Sequence, residues 1–339
     1  MRLAIVKLSA LGDIVHAMVG IQFIKKFNPS VVIDWFVDDE FKELLEHHPQ
    51  INQVHGLKIR HAKRKKSLLG LFKEFKNAYK LESYDLVIDM QGLIKSAILA
   101  RIIKSPITLG FDKKSLREGL ASFFYDKTFS CDYEKNVIER NIAIISFALN
   151  LDIGKEQIDT KLPFLFSNPN IKLKNLSKNK QNILIVPGAS IKSKCYPAEK
   201  FVKLISLIDA NFLILWGSQE EKKIAKRIQS SSKQNTNLCC RLSLNSLIFM
   251  IKQMDLVIGG DTGPTHIAWA LNKPSIVLFG STPGYRNSYE SEINIIIESD
   301  SKVNPLKLDK NDFSIEKIDE NYIAQIAKKL LRKYSKQPR

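Results

Sequence analysis

Apolar positions along this chain switch repeatedly between two periods. Leu3 to Leu8 is a short apolar run that reads as a buried strand, and the apolar residues at 14, 17, 18, 21 and 24 recur at helical spacing, predicting a helix over 14–27. The alternation continues with strands at 31–37, near Val54, at 85–90 and at 108–111, and with helices over 39–47, 67–81, 93–103 and 137–149. A polar stretch rich in Asn, Lys and Ser, 167–181, interrupts it. The pattern then restarts with strands at 183–186, 212–216, Leu238, 256–258 and 276–279. Between them it predicts helices over 198–207, 220–228, 244–252 and 265–271, with a closing amphipathic helix over 315–334. Strands alternating with helices imply an α/β chain whose parallel sheets are covered on both faces. The expected organisation is two Rossmann-like doubly wound domains, 1–166 and 182–314, joined by a linker at 167–181 and followed by a C-terminal helix and basic tail, 315–339. Two such domains facing each other leave a cleft at the carboxyl ends of their strands, where ligands collect.

Composition agrees with a globular chain. Its 339 residues suit two domains, and 44% hydrophobic with 26% charged residues excludes a disordered one. Basic residues outnumber acidic ones 52 to 35, a formal charge of +17, which predicts attraction to something anionic. The four cysteines, 131, 195, 239 and 240, form no C-x-x-C pair and no zinc-type spacing, as expected of reduced thiols in a cytoplasmic protein. No apolar run approaches the roughly 18 residues of a membrane span. The apolar start before Asp13 is too short for a signal peptide.

Five segments carry candidate chemistry. Gly259-Gly260-Asp261-Thr262-Gly263-Pro264-Thr265-His266 joins a predicted strand to a predicted helix. A glycine-rich turn at a helix start offers unpaired N–H groups and a positive dipole end to an anion. Thr262, Thr265 and His266 add donors; a plain strand-to-helix turn with Thr265 as N-cap would use the same residues. Ser9-Ala10-Leu11-Gly12-Asp13-Ile14-Val15-His16 places Asp13 at a helix start beyond the first strand, as a cleft carboxylate or simply a dipole partner. In Pro187-Gly188-Ala189-Ser190-Ile191-Lys192-Ser193-Lys194-Cys195-Tyr196-Pro197, Ser190 and Lys194 suit a phosphate, although an exposed lysine loop has the same look. Glu220 and Glu221 follow a strand end, where an acid accepts from ribose hydroxyls or stabilises the helix start. From Lys58 to Lys80, nine basic residues face one acid, Glu74. Neither a G-x-G-x-x-G fingerprint nor a P-loop is present, and no zinc-finger, RNP or zipper pattern supports nucleic acid.

Three elements in their order, Gly12-Asp13-Ile14-Val15-His16-Ala17, Asp89-Met90-Gln91-Gly92-Leu93-Ile94-Lys95-Ser96-Ala97 and Gly260-Asp261-Thr262-Gly263-Pro264-Thr265-His266-Ile267-Ala268, resemble the bacterial lipopolysaccharide heptosyltransferases. Lys194-Cys195-Tyr196-Pro197 resembles that family's lysine, aromatic, proline element, and the likeness runs from Met1 to about Lys329. Within the family the chain looks most like the heptosyltransferase I type. The resemblance implies a GT-B fold and inverting, metal-independent transfer of L-glycero-D-manno-heptose from ADP-heptose to Kdo of the lipid A inner core. No cofactor is expected beyond that sugar nucleotide, and the expected place is the cytoplasmic face of the inner membrane, peripherally attached. By resemblance Asp13 is the general base, and Lys194 and Ser190 belong to the donor-phosphate loop, with Ser190 where family members often carry Thr. Asp261 contacts the heptose, Thr262, Gly263, Thr265 and His266 form the diphosphate turn, and Glu221, or Glu220 by a one-residue shift, meets the ribose. Arg60, Lys63, Arg64 and Lys66, with Gln91, Lys95 and Arg117, are the expected acceptor contacts.

In such a reaction the base takes the acceptor hydroxyl's proton while negative charge grows on the leaving diphosphate. A carboxylate of ordinary pKa, about 3.9, is a weak base, so this role calls for a buried Asp13. A heptosyltransferase II-like enzyme with another acceptor stays open, as does a non-catalytic basic protein binding membrane or nucleic acid.

Overall fold

The computed structural model describes residues 1–232 and 235–334; residues 335–339 of the expected basic tail lie outside them. The chain divides into two compact units, Met1–Phe166 and Ser167–Arg339.

In chain order the first unit contains β1 (Arg2–Val6), α1 (Leu11–Phe27), β2 (Val32–Asp38), β3 (Gln53–Leu57), α2 (Ile59–Arg64), α3 (Leu68–Tyr79), β4 (Leu86–Asp89), α4 (Ile94–Ile102), β5 (Thr108–Phe111), β6 (Lys127–Phe129), α5 (Val137–Leu149) and α6 (Lys155–Asp159). Its strands form a parallel sheet ordered β3-β2-β1-β4-β5-β6. Leu3 to Val6 are wholly buried because this central strand is covered on both faces. α1 packs against α5. α3 turns Leu71, Phe75 and Ala78 toward a core that includes Ala4, Val6, Phe36 and Val87.

The second unit contains β7 (Asn182–Val186), α7 (Ala198–Ser206), β8 (Asn211–Ile214), α8 (Gln219–Ser231), β9 (Thr236–Leu238), α9 (Leu244–Lys252), β10 (Leu256–Gly260), α10 (Gly263–Ala270), β11 (Ser275–Phe279), α11 (Gly284–Asn287), β12 (Asn294–Glu298) and α12 (Glu320–Tyr334). The parallel order β12-β11-β10-β7-β8-β9 repeats that of the first unit when counted from each unit's first strand. Phe201, Leu204 and Ile205 of α7 and Ile323, Ala327 and Leu330 of α12 share one core with Ile183 and Ile185 of β7. The strand order reverses between β1 and β4 in one unit and between β7 and β10 in the other. The crevice beyond those strand ends is where doubly wound sheets bind ligands. Among the described residues no helix is long and apolar enough to cross a membrane.

The structure departs from the sequence pattern at several points. Residues 39–44 form a 3-10 turn, not the start of a helix over 39–47, and Asp38 accepts the Glu40 N–H to begin it. The basic tract is helical over Ile59–Arg64, held by buried Ile59 and Ala62. The closing helix is broken: a 3-10 turn over Ser314–Lys317 precedes α12, and the Ile318 carbonyl between them accepts from Tyr196 Oη and Lys200 Nζ at 2.9 and 2.7 Å. Gly259 and Gly260 lie inside β10, paired in parallel with Val277 and Leu278. The edge strands β6 and β12 had no counterpart in the apolar pattern.

Candidate functional site

The second unit's site begins where β10 ends. Thr262, with extended backbone, starts α10 ahead of Gly263 and Pro264, so the helix begins two residues before the sequence pattern places it. Thr265 is not the N-cap. It is fully buried, and its hydroxyl donates to the carbonyls of Gly260 and Thr262 at 3.1 and 2.6 Å, so it fastens the turn from inside. Asp261 lies at the centre of the cluster. Lys194 Nζ donates to its Oδ2 at 2.6 Å, Thr282 Oγ1 donates to the same oxygen at 3.0 Å, and His266 Nε2 stands 3.0 Å from Oδ1. Burial alone would push this carboxyl up, but the hydrogen bond from His266 and the Lys194 ammonium hold it far below the usual carboxylate range. Asp261 and His266, expected on separate parts of the donor, are bonded to each other.

Lys194 ends a 3-10 turn in the loop after β7, so the loops beyond β7 and β10 meet through one ion pair. The backbones meet as well. A Cβ on Gly260 would fall 2.4 Å from the Lys194 carbonyl oxygen, so only glycine permits the approach. Gly260→Ala is therefore expected to lower stability by about 1–3 kcal/mol and to displace Lys194. Thermal unfolding with and without ADP checks this, and an unchanged Tm and unchanged ADP response would refute it. Behind the loop, the hydroxyls of Ser193 and Ser281 are 3.0 Å apart in a buried contact. Ser190 is exposed on the loop.

Glu221 is the third residue of α8 and closes a capping box. Its Oε2 accepts from the N–H groups of Gly217 and Ser218 at 2.6 and 3.2 Å, while Ser218 Oγ accepts from the Glu221 N–H at 3.2 Å. Its side chain lies against Gly188 of the β7 loop, where a Cβ would fall 2.4 Å from Cδ. Glu220 is exposed.

In the first unit, the loops after β1 and β4 are tied together. Gln91 Oε1 accepts from both Leu8 and Ser9 N–H groups at 3.0 Å, and Lys7 Nζ donates to the Met90 carbonyl at 2.7 Å. Gln91, expected at the acceptor, also clasps the loop that leads to Asp13 through its Oε1. The β4 turn is itself organised by Asp89. That wholly buried carboxylate accepts from the N–H groups of Gln91 and Gly92 and from Ser96 Oγ and Tyr125 Oη. Burial pushes the Asp89 carboxyl up in spite of those donors. Gly92 has φ +69°, in the left-handed region that favours glycine. Asp13 sits in the first turn of α1 and its Oδ2 accepts from the Ala10 N–H at 3.0 Å. Its side chain is exposed, so the burial that a base of this type calls for is not found there.

The basic tract is partly spent on internal contacts. Arg60 Nη1 lies 3.1 Å from Glu40 Oε2, and Arg64 Nη1 lies 2.6 Å from Glu40 Oε1. The Arg60 backbone N–H donates to Asp38 Oδ2 at 2.7 Å. Lys63 and Lys66 are exposed, as is Arg117 in the segment after β5. Lys95 of α4 joins this group. Burial lowers its pKa, Asp38 opposes that shift, and Lys63 and Arg60 add to it, so the four lie within electrostatic reach of one another. Among the described residues no three His, Cys, Asp or Glu side chains form a group that could hold a metal ion.

Sequence reasoning missed Thr282, the Ser193–Ser281 contact and the organising role of Asp89. Only Asp89 left a trace, as a strand-end acid shortly before a glycine. The others come from segments remote in the chain.

Known proteins place these two sites in context. A family model described as Glycosyltransferase family 9 (heptosyltransferase) matches residues 73–311. Lipopolysaccharide heptosyltransferase 1 of Campylobacter coli is 41% identical, with 97% of this chain and 99% of that protein aligned. Among solved structures, E. coli heptosyltransferase WaaC with ADP superimposes with a TM-score of 0.79 at 21% identity, covering 97% of this chain and all of that one. WaaC with ADP-2-deoxy-2-fluoro heptose gives 0.77 at 21% identity, covering 97% and 99%. The fold class is therefore GT-B, built here from two Rossmann-like doubly wound units. A family model covering most of the chain and a relative this similar along nearly its whole length establish that the protein belongs to glycosyltransferase family 9, in the lipopolysaccharide heptosyltransferase 1 group.

Proposed function

We propose that this chain transfers L-glycero-D-manno-heptose from ADP-heptose to a Kdo residue of the lipid A inner core, with inversion and without a metal. The observation that carries the donor half is the cluster at the start of α10, where Lys194, His266 and Thr282 surround Asp261 at the strand-order reversal. The Lys194 ammonium, the threonine hydroxyls and the positive end of α10 collected there suit a diphosphate whose charge grows as it leaves. WaaC has been solved with ADP and with an ADP-heptose analogue, which supports the same donor class here. In this reading Lys194 and the Gly263 N–H stabilise the leaving ADP, since Pro264 has no N–H and the Thr265 and His266 N–H groups donate to the Thr262 carbonyl, and Ser190 adds a hydroxyl to a phosphate oxygen. Asp261 orients Lys194 and His266 and meets the heptose. Glu221, seated beside the β7 loop, faces the ribose in preference to Glu220.

The acceptor half belongs to the first unit. Asp13 takes the proton of the attacking hydroxyl. Its carboxylate is exposed and so open to an incoming hydroxyl. Arg60, Lys63, Arg64 and Lys66, with Lys95 and Arg117, hold the carboxylates and phosphates of Kdo-lipid A. Basic residues near an anionic leaflet add about 1 kcal/mol each, which supports a peripheral position on the cytoplasmic face of the inner membrane.

The deciding experiment is mass spectrometry of Kdo-lipid A incubated with ADP-heptose and the protein. The expected product carries one added heptose. Transfer only to an acceptor that already bears heptose would replace this reading with a heptosyltransferase II-like one, and no transfer to either would end it. Charge reversal of Arg60 and Arg64 together is expected to raise the acceptor KM about tenfold and leave the donor KM unchanged. Steady-state kinetics with each substrate varied tests this, and a change confined to the donor would reassign the tract.

A further inference from the structure

The outward side of α3 has no part in the chemistry above. Leu71, Phe75 and Ala78 hold the helix to the core. Flanking that buried stripe, Leu68, Leu69 and Phe72 are 81%, 84% and 66% exposed. Spacings of three and four residues make them one apolar patch over the first two turns. Lys65 and Lys66 precede the patch, and Lys73 and Lys76 follow it at the same spacings; all four are exposed. The one acid in this stretch, Glu74, accepts the Lys58 N–H at 3.2 Å.

A second exposed apolar pair lies nearby in the fold. Leu120 and Phe123 are 60% and 75% exposed on the 3-10 segment Gly119–Phe124, and α4 packs against both that segment and α3. Lys113, Lys114 and Arg117 are exposed just ahead of it. An apolar patch bordered by lysines matches an anionic bilayer surface. Leucine and phenylalanine side chains reach the acyl boundary while lysine stems extend and keep their ammonium groups among the lipid phosphates.

We propose that the outward face of α3, through Leu68, Leu69 and Phe72 with Lys65, Lys66, Lys73 and Lys76, inserts into the headgroup layer of an anionic phospholipid bilayer and docks the first unit there. The proposal deepens the reading above and rests on its lipid-borne acceptor, but it adds a hydrophobic anchor to the purely ionic one. It predicts attachment that persists in part when salt screens the lysines.

The test uses the full chain and vesicles of phosphatidylethanolamine with phosphatidylglycerol, with phosphatidylcholine vesicles for comparison. The triple variant Leu68→Ser, Leu69→Ser, Phe72→Ser is expected to partition about tenfold or more weakly onto the anionic vesicles. Its Tm and its transfer to a deacylated, water-soluble acceptor should stay at wild-type values. Wild-type partitioning by the triple variant overturns the proposal. So does unchanged partitioning in a variant that converts a wild-type dimer to a monomer, because the face would then join two copies of the chain. As a second readout, Leu69→Trp is expected to be quenched by brominated lipids. Trp35, Trp216 and Trp269 are buried, so the new indole reports alone. A vesicle-bound Leu69→Trp protein that escapes quenching overturns insertion. Should the wild type bind vesicles through α3 yet transfer heptose to no lipid A acceptor, the docking surface stands and the substrate reading falls.

Discussion

Replacing Asp13 with asparagine is expected to slow heptosyl transfer about 10³-fold while ADP affinity stays within about twofold. Asparagine is chosen because its amide oxygen can still accept the Ala10 N–H that Asp13 Oδ2 now accepts at 3.0 Å, keeping the start of α1 intact. What the substitution removes is the ability to take a proton. ADP should be unaffected because every residue assigned to it belongs to the second unit. Single-turnover transfer assays and ADP titration calorimetry provide the two measurements. Transfer within tenfold of wild type would take Asp13 out of its role, and a matching loss of ADP affinity would show that the variant disturbs more than proton transfer.

Replacing Lys194 with methionine should have the next largest effect. It removes the cation on Asp261 Oδ2 and leaves a buried carboxylate with only His266 and Thr282. Breaking such a pair costs about 3 kcal/mol, and losing the charge proposed to face the leaving diphosphate should reduce kcat/KM for ADP-heptose about 10²–10³-fold. The two effects separate by pH. In the wild type the folded Asp261 pKa lies below its ordinary 3.8, so its stabilisation is complete above that value and is lost as pH falls through the folded pKa. In Lys194→Met the folded pKa rises and this contribution shrinks. The difference in Tm between the two proteins should therefore be widest near neutrality and narrow below about pH 3.8. A constant difference would mean that Lys194 acts on stability by packing alone, and unchanged donor kinetics would remove it from the chemistry.

The central strands were legible because burial on both faces turns them into unbroken apolar runs, as in Leu3 to Val6 or Ile183 to Val186. Of the edge strands, β3 and β9 left only short signals near Val54 and Leu238, and β6 and β12 left none. Lys127–Phe129 is a three-residue, mostly exposed strand whose pairing with β5 leaves no period to read. α2 was hidden by its charges, since only Ile59 and Ala62 mark its buried side. Two glycines at 259 and 260 read as a turn, yet both complete β10, where a Cβ on Gly259 would meet the Val186 carbonyl oxygen at 2.8 Å and one on Gly260 the Lys194 carbonyl oxygen at 2.4 Å. The split before α12 depends on Tyr196 and Lys200, more than a hundred residues earlier, drawing the Ile318 carbonyl away from a continuous helix.

The site followed the same rule. Residues in strand-to-helix motifs, such as Asp13, Asp261 and His266, could be offered as candidates from the sequence because strand ends in doubly wound sheets are where ligands collect. Which of them touch could not be read there. Asp261 to Lys194 spans 67 residues and Asp261 to Thr282 spans 21, and no periodicity encodes either pairing. The resemblance to a transferase family supplied roles, whereas the coordinates showed that Thr265 and Gln91 also have backbone groups to hold.

Gln91 fastens two consecutive main-chain amides with one neutral oxygen. Glutamate there could accept the same two bonds and would be nearly isosteric, but it would bring a second anion close to the loop that carries Asp13. A second anion there would repel Asp13 and, in the proposed reaction, would oppose the approach of an anionic acceptor. An amide at this position secures the loop without adding charge beside Asp13.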